Sequence, residues 1–217
     1  MAAGSDRPLG RLRKGVRVRP GGRLALLVVS VLAAGWIAWA GVVPRPSGAE
    51  TRVAREHAVK LAYLFNLIRF TRWPEGAVPP DGPFTLGVLG DDPFGPLLAE
   101  LERRRLHDRP VRVVRIRAPE QARECQAVFV AASESPRLGA ILHLLEGLPV
   151  LTFGDLTDFA ARGGGVGFVR QGDRVRFEVN LEVIRKAGLR MSSEVLRLAA
   201  RVLGPRQDKG EGDAKVP

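Results

Sequence analysis

The sequence predicts an α/β fold, a single three-layer αβα domain with a mostly parallel sheet and a C-terminal β-hairpin plus helices. Three observations point there. Short apolar runs such as FTLGVL (84–89), AVFVA (127–131) and VLTF (150–153) alternate with stretches of helical periodicity, the pattern of strands buried on both faces. Two further strand-like runs, 165–170 and 174–180, are joined by Gln171-Gly172-Asp173, which is turn chemistry for a hairpin. Pro and Gly punctuate the boundaries between these runs.

The elements follow in order. Residues 54–70 read as a helix, with Val59, Ala62, Tyr63, Asn66, Leu67 and Phe70 at steps of three and four. Its apolar surface is wider than one packed face requires. Trp73-Pro74 ends it, because Pro disfavours helical geometry in the residue before it. Strand 84–89 leads to a helix over 93–104 with Asp92 as N-cap. Strands are predicted at 111–116, 127–131 and 150–153. A helix spans 136–146 with Pro136 at its first position and Gly147 past its end. A turn of helix is expected over 155–161, and helices over 181–187 and 193–203 close the domain.

The boundaries are a signal peptide at 1–40, a linker at 41–51, the domain at 52–204 and a disordered polar tail at 205–217. The first forty residues carry seven bases and one acid, so a net +6 of the total +11 sits there. Leu24–Ala40 is uncharged, and Ala38-Trp39-Ala40 is a small-x-small cleavage site. An uncleaved anchor over 24–43, about 20 residues and long enough to span a bilayer, is the alternative. Either way the arginines stay in the cytoplasm and the domain is exported. Acids are interspersed with the other arginines, so no nucleic-acid partner is expected.

No catalytic constellation emerges, and neither a cofactor nor a metal is expected. Asp91-Asp92 follows a strand, where open α/β sheets place ligands, but reads as turn and cap chemistry. The glycine run 163–167 precedes a strand instead of opening a helix, so it is not a phosphate cradle. His57, His107 and His143 lack ligand spacing, and Ser192 reads as a helix N-cap. Cys125 is the single cysteine, which excludes an internal disulfide.

The residues of several stretches resemble the YfiR family of periplasmic regulators. They are KLAYLFN (60–66) with Phe70 and Trp73-Pro74, then FTLGVLG (84–90) with Asp92-Pro93-Phe94-Gly95. CQAVFV (125–130), GLPVLT (147–152) and Asp155 with Phe159 come next. RFEVN (176–180), AGLRMSS (187–193) and LRLA (196–199) complete the set. The resemblance implies a non-enzymatic domain that binds the periplasmic sensor region of an inner-membrane diguanylate cyclase. Restraining that enzyme lowers cyclic di-GMP and biofilm matrix production. Redox control through paired cysteines, which some members are associated with, cannot operate here.

Partner contact calls for apolar anchors. Tyr63, Phe70 and Trp73 are the candidates, with Phe70 expected to pack on the sheet and Trp73 to be exposed. Trp73→Ala is accordingly expected to weaken binding and spare stability. Arg176, Glu178 and Asn180 alternate along a strand and share a face, where they seat a ligand or partner loop, or form an internal network fixing the next helix. A periplasmic small-molecule binding module of a receptor or transport system is the alternative function. A homodimer, and membrane contact through an uncleaved N-terminal segment, are compatible with the same sequence.

Overall fold

The structure, a computed structural model, describes residues 48–204. The signal or anchor at 1–40 or 24–43, most of the linker, and the tail lie outside the described residues. Among the described residues no helix is long and apolar enough to cross a membrane.

Helix α1 (Gly48–Arg69) opens the domain and is followed at once by the two-residue strand β1 (Thr71–Arg72). Strand β2 (Phe84–Leu89) leads through a 3-10 turn into α2 (Leu98–Glu102). Then come β3 (Arg105–Leu106), β4 (Arg109–Ile116) and β5 (Ala127–Val130). Helix α3 (Leu138–Leu145), β6 (Leu151–Gly154), β7 (Val166–Gln171) and β8 (Arg174–Asn180) follow. The chain closes with α4 (Leu181–Lys186), β9 (Arg190–Met191), α5 (Ser193–Leu196) and β10 (Arg201–Leu203).

Eight strands form one sheet in the order β10-β8-β7-β6-β5-β2-β4-β3, while β1 and β9 form a separate antiparallel ribbon. In the large sheet only β7–β8 and β3–β4 pair antiparallel. The predicted α/β domain with a mostly parallel sheet and a hairpin is what forms. Alternation along the strands splits the core. Ala127 and Phe129 of β5 join the α1 side with Leu64, Leu67 and Ile68, whereas Val128 and Val130 join the α3 side with Leu138 and Ile141. Two apolar layers therefore sandwich one sheet.

Five boundaries differ from the sequence expectation. The helix expected over 93–104 is a 3-10 turn, Gly95–Leu97, followed by only five α-helical residues, Leu98–Glu102, and Phe94 instead of Asp92 stands at the N-cap of the turn. Helix α1 begins at Gly48, so the last residues assigned to the linker are helical. Residues 155–161 form turns, not a turn of helix. Pro136 lies inside a 3-10 turn, Ala132–Arg137, that leads into α3. Last, the closing helix over 193–203 is a single turn, and Arg201–Leu203 is a strand paired parallel with Glu178–Asn180 at the sheet edge. A free strand edge captured residues whose local pattern favours helix.

The glycine run before β7 also gains a reason. The Phe159 ring is fully buried against Gly154 and Gly164, where a Cβ would approach it to 2.5 and 2.1 Å. Gly165 N donates to Thr152 Oγ1 at 2.8 Å. This is close packing, with no room for a phosphate.

Candidate functional site

In an open parallel sheet, ligands bind outside the carboxyl ends of the strands where the strand order reverses. Here that point lies between β2 and β5, because β4 lies to one side of β2 and β5 to the other. The crevice is occupied by the protein's own groups. Asp92 Oδ1 accepts from Phe94 N and Gly95 N at 2.8 and 3.1 Å, and its Oδ2 pairs with Arg115 at 2.7 Å. Ser133 Oγ accepts from Asp91 N at 2.9 Å. Gly90, at φ +88°, has Ser133 Oγ and the buried Glu134 where a Cβ would stand. Glu134 in turn pairs with Arg137. Asp91-Asp92 is turn chemistry, with Asp92 bonding the backbone that leads into the 3-10 turn.

A second polar cluster lies beyond the end of β6. Lys60 of α1 is 7% exposed and bridges Glu56 at 2.8 Å and Asp155 at 3.1 Å. Arg170 reaches Glu56 at 3.5 Å. The Lys60 hydrogen bond holds the Glu56 carboxyl below its ordinary pKa, against desolvation and with help from the charges of Lys60, Arg170 and His57. Asp155 Oδ1 is buried without a partner. The sequence signal for this cluster was Glu56 and Lys60 at i,i+4, with Lys60 followed by the apolar run LAYLF.

Among the described residues no three of His, Cys, Asp and Glu could hold a metal ion. His57 stands edge-on to Phe94, His107 Nε2 lies 3.2 Å from Ile68 O, and His143 is exposed on α3. Ser192 Oγ accepts from Glu194 N at 3.2 Å as the α5 N-cap. Cys125 is buried, and desolvation, with the Glu124 charge adding to it, raises its thiol to about 11. It is an inert core residue at neutral pH.

The polar trio on β8 is divided. Asn180 Oδ1 accepts from Val183 N at 3.2 Å as the α4 N-cap, and its Nδ2 donates to Ala160 O at 2.8 Å. Glu178 pairs with Arg201 of β10 at 3.0 Å. Asn180 and Glu178 thus make internal ties of the kind that fix the next elements. Arg176 is half-buried and its Nε has no partner. Asn180→Ala removes both the cap and the tie to Ala160, so chemical denaturation should show a loss of about 1–2 kcal/mol. A change below about 0.3 kcal/mol would mean the cap is dispensable.

The aromatic trio is arranged differently from the sequence expectation. Tyr63 is half-buried, its ring 5.3 Å from Phe177, and it lines with Arg176 a groove of about 660 Å³ between α1 and the β7–β8 hairpin. Trp73, expected to be exposed, packs against the core. Its ring meets Phe84 edge-on at 5.0 Å, and its Nε1 donates to Gln126 O at 3.1 Å. Phe70, expected to pack on the sheet, is 40% exposed. The reason lies in the helix end. Phe70 falls one residue past α1, and its carbonyl accepts from Ser192 N at 3.0 Å, which ties its backbone to the β1–β9 ribbon. The buried Thr71 takes the inward position.

The same ribbon borders a third region that sequence reasoning did not single out. A groove of about 680 Å³ opens between α4 and α5, walled by Arg185, Arg190 and Arg197. The clustering of arginine around AGLRMSS was its only trace in the sequence.

A search of curated protein sequences returns no match. Among solved structures, a conserved domain protein from Vibrio cholerae O1 biovar El Tor strain N16961 aligns over 67% of this chain and 60% of its own. The identity is 11% and the TM-score 0.46. An ABC domain from Streptococcus pneumoniae, solved in complex with L-Trp, aligns over 64% and 59%, at 12% identity and a TM-score of 0.43. The alignments span about three fifths of those chains. The model of the YfiR/HmsC-like family matches residues 57–200, from the first turns of α1 to the start of β10. That match takes in every strand of the sheet but the last, and the chain belongs to the YfiR/HmsC-like family.

Proposed function

We propose that this chain is an exported, non-enzymatic regulator that binds the periplasmic sensor region of an inner-membrane diguanylate cyclase and restrains it. Cyclic di-GMP, and with it matrix production, falls as a result. The observation that carries this reading is family membership over residues 57–200, since the YfiR-like family is one of periplasmic regulators. Export rests on the uncharged run after the N-terminal arginines. Retained uncleaved, residues 24–43 would hold the domain beside the bilayer that its partner spans.

Of the three aromatic candidates, Phe70 is the one we assign as a contact, because it is the one that is exposed and aromatic residues are the anchors that dominate interfaces. Co-purification with a diguanylate cyclase encoded nearby tests the reading, with cellular cyclic di-GMP as the second readout. Recovery of the pair, and a rise in cyclic di-GMP on deletion, are expected. Failure of both would refute it. Phe70→Ala should cut recovery of the cyclase severalfold or more and cost the fold no more than about 1 kcal/mol.

A further inference from the structure

The β1–β9 ribbon sets Arg72 directly across from Arg190, and both are exposed. Opposite partners in an antiparallel pair project to the same side, and like charges there destabilise the pairing. A ribbon with two residues per strand has few other bonds to offset that repulsion. Arg190 also stands in the wall of the groove between α4 and α5, beside Arg185 and Arg197, and no acidic residue lines that groove. Among the described residues none of these four guanidinium groups makes a hydrogen bond or an ion pair. Elsewhere the arginines are mixed: among the described residues Arg112, Arg123 and Arg174 likewise make no ion pair, whereas others do. Arg115, Arg137, Arg170 and Arg201 each face a carboxylate.

Beneath the arginines the groove is apolar. Leu181, Ile184 and Leu189 are buried in its floor, and Met191 and Leu196 are half-buried. Two residues with exposed large apolar side chains adjoin its lining along the backbone. Phe70 is held to Ser192 through its carbonyl, and Leu198, 61% exposed, follows Arg197. A flat bilayer surface would meet the arginines without reaching the floor of a concavity of about 680 Å³, whereas side chains from a polypeptide can fill it. Unpaired positive charge above an apolar floor is complementary to a segment with carboxylates around an apolar anchor.

We infer that this groove docks an acidic segment of a partner protein, with carboxylates on Arg72, Arg190 and Arg197 and an apolar side chain on the floor. The inference rests on the reading that the protein acts by contact, and adds the chemistry of what it contacts. The like-charge pair in the ribbon is then relieved when a carboxylate bridges it.

A fluorescein-labelled amphipathic Leu/Glu peptide, followed by anisotropy against the full chain, is the probe. It should bind, and weaken about tenfold or more from low to high salt, while the Leu/Lys counterpart does not bind. Arg72→Glu should weaken binding about tenfold or more without lowering the melting temperature, because the introduced carboxylate would then face Arg190. Arg197→Glu, outside the ribbon, is the second variant and should weaken binding similarly. Unchanged binding by both variants would overturn the inference. So would equal binding of the two peptides, or Arg190-dependent binding to phosphatidylglycerol vesicles with no binding of the Leu/Glu peptide. The two readings separate cleanly. If the cyclase co-purifies equally with wild type and with both variants, the groove inference falls and the proposed function stands. If the peptide behaves as expected but no cyclase is recovered with wild type, the groove stands and the function falls.

Discussion

Lys60→Met is expected to destabilise the domain by about 3–5 kcal/mol, a large fraction of what holds a domain of this size folded. Lys60 Nζ is the shared partner of Glu56 and Asp155, at 2.8 and 3.1 Å, and its side chain is 9% exposed. Methionine fills the volume, so packing changes little, but Asp155 is left with neither oxygen satisfied because Oδ1 already lacks a partner. Glu56 retains Arg170 at 3.5 Å and suffers less. Urea denaturation checks the value. A loss under about 1 kcal/mol would show that the cluster behaves as an exposed ion pair. Adding Asp155→Asn should recover part of the loss, since a neutral amide is less costly to bury than an unpaired carboxylate.

The same cluster fixes the direction of the acid response. The folded-state pKa of Glu56 lies below its ordinary value of 4.5, chiefly through the Lys60 hydrogen bond. A depressed carboxyl contributes stability that is complete above the unfolded pKa and is lost as pH falls through the folded one. Wild type should therefore lose stability more steeply than Lys60→Met as pH falls below 4.5. Parallel stability-against-pH curves would assign the acid response to other groups.

The fold was legible where local chemistry and tertiary context agree. The β8 strand and its hairpin turn read directly from alternation and Gly172, and β2 and β5 from runs of apolar and β-branched residues. β10 was not legible. Three residues that continue a helical pattern become a strand because the edge of β8 is there to pair with. β1 and β9, two residues each, are too short to show an alternation. The site was legible only in part for the same reason. Phe70 could be named from composition, but its exposure depends on where α1 ends and on a bond to Ser192, 122 positions away. The Arg72–Arg190 pairing depends on the register of a ribbon that no local pattern announces.

Trp73 shows how a correct residue can carry the wrong role, and Trp73→Ala tests this directly. A Trp before a helix-ending Pro looks like a surface anchor. In the fold it closes a knot around Gln126. The Trp73 Nε1 donates to Gln126 O at 3.1 Å, while Gln126 Oε1 accepts from Thr85 N at 2.8 Å and its Nε2 donates to Ala77 O at 3.2 Å. The loop after α1 is thereby tied to the starts of β2 and β5. Gln126 O also accepts from Leu151 N at 3.0 Å, so truncating Trp73 leaves no orphaned carbonyl. The loss is mainly of packing, against Phe84 at 5.0 Å and His107 at 5.9 Å. The expected cost is about 2–4 kcal/mol, towards the lower end for a large aromatic because Trp73 is only half-buried. Trp73→Phe keeps most of the packing and should cost about 1 kcal/mol. Binding to the cyclase, measured per folded molecule, should be unchanged in both. An unaltered melting temperature with lost binding would return Trp73 to the interface. The expected pattern, with stability falling at Trp73 and binding falling at Phe70, separates the residue that builds this end of α1 from the one that it presents.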